Sequence, residues 1–351
     1  MNREALIAAF LARHGYAEAA RAPLAPDASF RRYLRLSGGK RPAVLMDAPP
    51  PEDVRPFVRM AAHIAGIGLS APEIIAADAA NGLVLEEDLG DGVVGTVESR
   101  TAPPLAGLGS GADQGRREGE SLSSTSGLAA AVDCLIALQR AAPPPGLLLW
   151  DAPAMTQAAL GTLLDWWWPA AFGGPAPPAA RDDFAAALAA MLCPLAGGPR
   201  CFVHRDFFAG NLIWLPQREG LRRVGILDFQ SAALGHPAYD LASLLQDARQ
   251  DAAPGAEKRA IAQYLGGRPD LDPQDFRTAY AICAAQRHLR VACQWVRLAV
   301  RDRRPHYLAH GPRTWRLLDK ALTHQAAAPL AAAMDRWIPP ALRTNPEGLA
   351  A

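Results

Sequence analysis

Apolar and polar positions recur with two different periods along this chain, and the change of period divides it. Asp27-Ala-Ser-Phe30 reads as a turn into Arg31-Arg-Tyr-Leu-Arg-Leu36, whose mixed charged and apolar residues suit an exposed strand. Gly38-Gly39 closes that strand, and Ala43-Val-Leu-Met46 follows as its partner. Pro49-Pro50-Pro51 breaks the sheet, after which Val54, Phe57, Val58, Ala61 and Ile64 recur on one face of a helix from Glu52 to Gly66. Leu83 to Gly90 reads as a strand running into a polar connector, and the first eleven residues carry an amphipathic helical pattern. From Leu128 onward the helical period dominates: Leu128–Arg140, Arg181–Leu192, Pro237–Gln250 with proline in its first turn, and Thr278–Arg301, the longest. One interruption stands out. Leu212–Leu215 and Leu221–Asp228 are short apolar runs joined by the turn formers of Pro216–Gly220, which predicts a β-hairpin.

Residues 91–127 fit neither period. They are dense in Gly, Ser, Ala, Pro and charges, and read as a flexible insertion or linker. The expected fold class is therefore α+β and bilobal: a small β-sheet N-lobe over 1–90, the insertion, and a mostly helical C-lobe over 128–351 with the hairpin at the cleft.

Composition narrows the function classes. Half of the 351 residues are hydrophobic and one fifth charged, and the formal net charge is +1. No Lys/Arg block marks a nucleic-acid groove or a polybasic membrane patch. Cys134, Cys193, Cys201, Cys283 and Cys293 are scattered without CxxC spacing and read as reduced core residues. The N-terminal residues lack a signal-peptide pattern, and no apolar run approaches the ~18 residues of a membrane span. A cytoplasmic monomer with no membrane or nucleic-acid partner is the expectation.

The chemistry concentrates at His204-Arg205-Asp206-Phe207-Phe208-Ala209-Gly210-Asn211 and Ile226-Leu227-Asp228-Phe229. Antiparallel pairing across the predicted hairpin returns Asn211 and Asp228 to one open end, with Asp206 on the loop just before it. A carboxylate can accept a proton from a hydroxyl nucleophile, while a carboxamide and a second carboxylate are hard oxygen ligands suited to Mg²⁺. Each Asp taken alone is equally a turn residue. Three oxygen-bearing groups at this spacing point to phosphoryl transfer.

With these motifs the chain resembles the aminoglycoside phosphotransferase family of small-molecule kinases, which share the protein-kinase-like fold. The likeness runs through Asp27–Arg35, Val44–Pro50, Leu85–Asp91, the catalytic loop, Leu227–Gln230, His236–Leu245, Gln286–Arg290 and Tyr307–His310. Within the family it is most similar to the cell-wall amino-sugar kinases, which phosphorylate the anomeric hydroxyl of N-acetylmuramate and N-acetylglucosamine. The resemblance implies ATP and Mg²⁺ as cofactors and a small hydroxyl compound as acceptor. Asp206 becomes the base, and Asn211 and Asp228 the metal ligands. His204 supports the loop through backbone bonds, and Asp240 accepts bonds from the loop backbone. Glu86, Glu87, Asp88 and Leu89 resemble the hinge that meets the nucleobase.

The chain also departs from the fold's usual pattern. The third strand carries no lysine for the phosphates, and Pro26–Phe30 has no glycine. Arg31 or Arg32 is the candidate replacement, on opposite faces of their strand, with Ser29 and backbone amides approaching the phosphates. For the acceptor, Gln230, Arg287 and His288 are the candidates, the last two for a lactyl carboxylate or acetamido oxygen. Trp166-Trp167-Trp168 reads either as a sugar-stacking platform or as core. Arg287, His288, Arg290 and Arg297 make this region basic, which favours a neutral or anionic acceptor. An aminoglycoside, choline-like or homoserine-type acceptor, or a nucleotide-binding regulatory module, are the other readings.

Overall fold

The structure, a computed structural model, describes residues 2–24, 31–94 and 124–349. Helix α1 (Arg3–Arg13), capped by the Asn2 side chain, lies on a five-stranded antiparallel sheet. Its strands are β1 (Ala20–Pro23), β2 (Arg32–Ser37), β3 (Ala43–Asp47), β4 (Ile74–Asp78) and β5 (Leu83–Glu87), in the order β1-β2-β3-β5-β4. Strand alternation gives the sheet two working faces. Leu36, Leu45 and Leu85 join Ile7, Phe10 and Leu11 of α1 in one small core. On the other face Met46 and Val84 pack with Phe57, Met60 and Ile64 of α2 (Arg55–Gly66), in the main core. The second helix begins three residues later than the sequence suggests: its N-cap is Val54, and Pro56 occupies its first turn.

The remaining strands are short and sit among helices. They are β6 (Leu149–Trp150), β7 (Cys201–Val203), β8 (Leu212–Trp214), β9 (Val224–Ile226) and β10 (Ala233–Gly235). β6, β10 and β7 form a three-stranded sheet, and β8 and β9 the hairpin. Around them pack α3 (Ser124–Arg140), α4 (Ala152–Thr162), α5 (Trp168–Phe172), α6 (Pro178–Leu192), α7 (Ala238–Leu245), α8 (Ala256–Gly266), α9 (Pro273–Val300), α10 (Gly311–Leu322) and α11 (Ala328–Trp337). The Asp272 side chain caps α9, which runs through the middle of the helical part with most of its residues buried.

The linker expected over 91–127 is described only at its ends. Gly92 to Val94 runs beside β8, with Val94 N–H donating to Leu212 O and Trp214 N–H to Gly92 O. Ser124 already belongs to α3, and residues 95–123 lie outside the described residues. Two further bonds tie the sheet part to the hairpin: Ser70 Oγ donates to Arg222 O at 2.7 Å, and Ile226 N–H to Ser70 O at 2.8 Å. Among the described residues no helix is long and apolar enough to cross a membrane. Four cysteines are buried as expected, but Cys193 is exposed just past the end of α6.

Candidate active site

The site is built on the loop between β7 and β8. Two buried groups hold its backbone. Asp240, in the first turn of α7, accepts from the N–H groups of His204 (2.6 Å) and Arg205 (2.9 Å), one through each carboxylate oxygen. Burial pushes the Asp240 carboxyl up to about 7, while those two backbone bonds pull it back. His204 is fully buried, and its Nε2 lies 2.8 Å from Leu227 O across the hairpin. Its Nδ1 accepts from Asp206 N–H at 3.3 Å, so the proton sits on Nε2. Burial lowers the imidazole to about 4, and the ring is neutral. Arg205 adopts left-handed backbone (φ 77°) and lays its guanidinium 3.9 Å over the Trp150 ring.

This anchoring turns Asp206 outward. Its side chain retains 38% of its exposure, against 1% for Asp47 at the end of β3, so it faces open space. Burial alone would raise its carboxyl. Arg290, then Arg287, His204 and Arg205, offset that and hold it below the ordinary carboxylate value. Arg290 Nη2 stands 3.8 Å from Asp206 Oδ1, an ion pair too long for a hydrogen bond.

The hairpin pairs Leu212 with Ile226 and Trp214 with Val224, and Leu227 N–H extends it by donating to Asn211 O at 2.9 Å. Asn211 and Asp228 therefore stand side by side at its open end. Asn211 Nδ2 donates to Asp206 O at 2.8 Å, which leaves Oδ1 as the atom able to coordinate. Asp228 also has left-handed backbone (φ 59°), which short polar side chains tolerate. Phe229, next to it, stacks on Phe57 of α2 at 4.8 Å and ties the ligand loop to the sheet part. At Gly225 a Cβ would come within 2.8 Å of Leu89 Cδ1, so a larger residue would have to push that side chain aside. Among the described residues no three His, Cys, Asp or Glu side chains form a metal cluster. A carboxylate and a carboxamide fit an ion that takes few protein ligands and completes its shell with phosphates and water, as Mg²⁺ does.

On the sheet, β2 separates the two candidate arginines. Arg32 lies on the α1 face, where it and Arg3 both bind Asp47. It does not reach the cleft. Arg31 is buried on the opposite side, with Nε 3.3 Å from Glu52 Oε2 just before α2. Tyr33, on the same face, interacts electrostatically with Glu86, Arg31 and Asp228, so this face looks onto the Asp228 loop. Ser29 lies outside the described residues.

The expected hinge divides as well. Glu87 N–H is committed to Glu73 O, and its carboxylate binds Arg218 at 2.5 Å. Asp88 binds Arg35 at 2.7 Å and caps Gly90 N–H. Glu86 differs from both. Its carboxyl is buried on the cleft face, and burial pushes it up to about 8, with Arg31 opposing and Asp88 adding.

The acceptor candidates need correction. Gln230 Nε2 donates to Asp228 Oδ1, which ties it to the candidate metal ligand. His288 is fully buried and bonded to Gln246 at 2.7 Å, a core histidine of the α7–α9 contact. Trp167 and Trp168 are core: Trp167 Nε1 donates to Thr344 O at 2.9 Å, and Trp168 packs on Phe172 and Trp337. Two cations stand at this loop: Arg290 beside Asp206, and Arg249, whose guanidinium lies 4.1 Å over Phe208. Tyr307 stacks on Trp295 behind them. The sequence marks Arg290 only as part of a basic region, and its helical offset from Arg287 puts both on one side of α9. Nothing in the local sequence marks Arg249.

A sequence profile of the Phosphotransferase enzyme family matches residues 21–276. The N-acetylmuramate/N-acetylglucosamine kinase of Caulobacter vibrioides is 35% identical, covering 96% of this chain and 97% of its own. The kinase of the same name from Pseudomonas aeruginosa is 32% identical, covering 86% of this chain and 84% of its own. A choline/ethanolamine kinase family protein from Mesorhizobium loti superposes with a TM-score of 0.59 at 16% identity, covering 95% of this chain and all of that one. That likeness shows the protein-kinase-like fold.

Proposed function

The chain belongs to the phosphotransferase enzyme family, and on that premise we propose that it phosphorylates the anomeric hydroxyl of N-acetylmuramate and N-acetylglucosamine, using ATP and Mg²⁺. Transfer from a nucleotide donor to a small-molecule hydroxyl is the family's activity. The acceptor, the anomeric position and the metal are this reading's own. The observation that carries it is the hairpin end, where Asn211 and Asp228 stand together beside the loop of Asp206.

The residues have distinct tasks. Asp206, held ionised by Arg290 and Arg287, accepts the hydroxyl proton as the oxygen attacks. Asn211 and Asp228 hold the ion, which when bound neutralises charge on the donor phosphates. Arg31, kept in place by Glu52, supplies a guanidinium where the third strand lacks a lysine. Asp240 and His204 fix the loop so that positioning, the main demand of phosphoryl transfer, is met before substrate arrives. Residues 1–90 carry the donor side and 128–351 the acceptor side in this reading.

The test is ADP release from ATP across amino sugars, aminoglycosides and amino alcohols, with and without Mg²⁺. Turnover of the two amino sugars that needs the metal is expected. Turnover confined to amino alcohols or aminoglycosides would refute the acceptor assignment.

A further inference from the structure

Helix α9 presents Arg287, Arg290, Gln294 and Arg297 along one face, since steps of three and four residues return to the same side of a helix. The inner end of this stripe lies at Asp206, through the 3.8 Å approach of Arg290. Arg290 Nη1 also donates to Gln294 Oε1 at 3.0 Å, which links the inner and outer halves. The hydrogen-bond inventory along the stripe is not closed. Nε and Nη1 of Arg287, Nε of Arg290 and Nε of Arg297 are shielded from solvent and have no partner. Arg287 and Arg290 are only 2% and 9% exposed, so solvent does not compensate them. A buried N–H left unbonded is costly, and guanidinium groups cannot relieve that cost by losing a proton. The cations also repel one another: after burial, Arg290 is among the groups that lower Arg287 and Arg297. At the mouth Arg249 adds an exposed guanidinium over Phe208.

We propose that this stripe is an anion subsite that takes a carboxylate carried by the acceptor, so that the enzyme favours the acid-bearing amino sugar. The proposal rests on the amino-sugar reading above and deepens it. A planar carboxylate matches the guanidinium fork: its oxygens can bond the half-buried Arg297 and the exposed Arg249, while the enclosed Arg287 and Arg290 add attraction through their charge. The two sugars differ in the required way: N-acetylmuramate carries a lactyl carboxylate, and N-acetylglucosamine carries none. From Arg290, the member beside Asp206, the stripe continues about 10 Å outward to Arg297, at about 1.5 Å per residue. In this proposal Arg297 then lies beyond the reacting hydroxyl, on the acceptor's side of it.

The experiment compares kcat/KM for N-acetylmuramate and N-acetylglucosamine in the wild type, Arg249→Ala, Arg290→Gln, Arg297→Gln and Arg297→Lys. Wild type should favour N-acetylmuramate, and Arg297→Gln should lower that preference by about tenfold, through KM for the acidic sugar, while N-acetylglucosamine turnover holds. Arg297→Lys should restore part of it, and Arg249→Ala should lower it less than Arg297→Gln does. Arg290→Gln should lower the preference most, on top of a loss common to both sugars. Melting temperatures accompany each variant; Arg249 is exposed, so its arm reads out even if Arg290→Gln does not fold. Equal losses on both sugars would assign the cations to the transferred phosphoryl group and overturn the proposal, as would an unchanged preference. Phosphorylation of neither sugar by the wild type would overturn the acceptor reading itself, and this subsite with it.

Discussion

The two walls that flank Asp206 are built on opposite terms. On the hairpin side the loop is secured by hydrogen bonds: Asp240 takes two backbone N–H groups, His204 bridges from Leu227 to Asp206, and Asn211 holds Asp206 O. On the α9 side several guanidinium nitrogens have no partner, and Arg290 meets Asp206 at ion-pair distance without a hydrogen bond. One wall anchors its backbone through these bonds and so fixes geometry. The other acts on Asp206 through its field. The difference teaches that the two walls contribute in different ways: bonded groups set the position of the Asp206 loop, and buried cations set its charge.

The hairpin side should be the more sensitive to loss of a single bond. Asp240→Ala leaves the buried N–H of His204 unbonded, at about 1–3 kcal/mol, together with the half-buried one of Arg205, and frees the loop that carries Asp206. Denaturant unfolding should report the lost stability, and kcat should fall with it; an unchanged midpoint would show that the anchoring bonds are not what secures this wall. The α9 side should respond through charge. Burial tends to raise the Asp206 carboxyl and Arg290 is the foremost group lowering it, so Arg290→Met should move the acid limb of the kcat/KM profile to higher pH. The sign follows from which form the cation favours: without it the protonated carboxyl persists to higher pH, and activity is lost earlier on acidification. Arg290→Lys should return the limb toward its original place. An unmoved limb would mean that Arg290 does not act on Asp206 electrostatically.

The catalytic hairpin was legible because its chemistry is local. Within residues 204–228 short spacing and turn formers dictate the pairing, so Asn211 and Asp228 could be placed at one end without a view of the rest. Strand alternation likewise separated Arg31 from Arg32, although only the Arg32–Asp47 contact shows which face is which. The α9 side was legible in charge and not in direction. A charged residue in mid-helix is ordinarily solvent-facing, but this helix is enclosed, and so His288 is core while its neighbour Arg287 joins the stripe. The helix containing Asp240 ends at Leu245, before the expected Gln250, and the following turns carry Arg249 to Phe208. Strands of two to four residues, such as β1, β6 and β10, are too short for alternation to register.

The central claim is that Asn211 and Asp228 join the protein to the nucleotide through a divalent ion. Calorimetric titration of ATP into wild type and Asp228→Ala, each with and without Mg²⁺, tests it most directly. Wild type should bind ATP markedly tighter with Mg²⁺ present, and Asp228→Ala should bind ATP with nearly the same weak affinity in either condition. A full metal-dependent gain in the Asp228→Ala variant would contradict the claim.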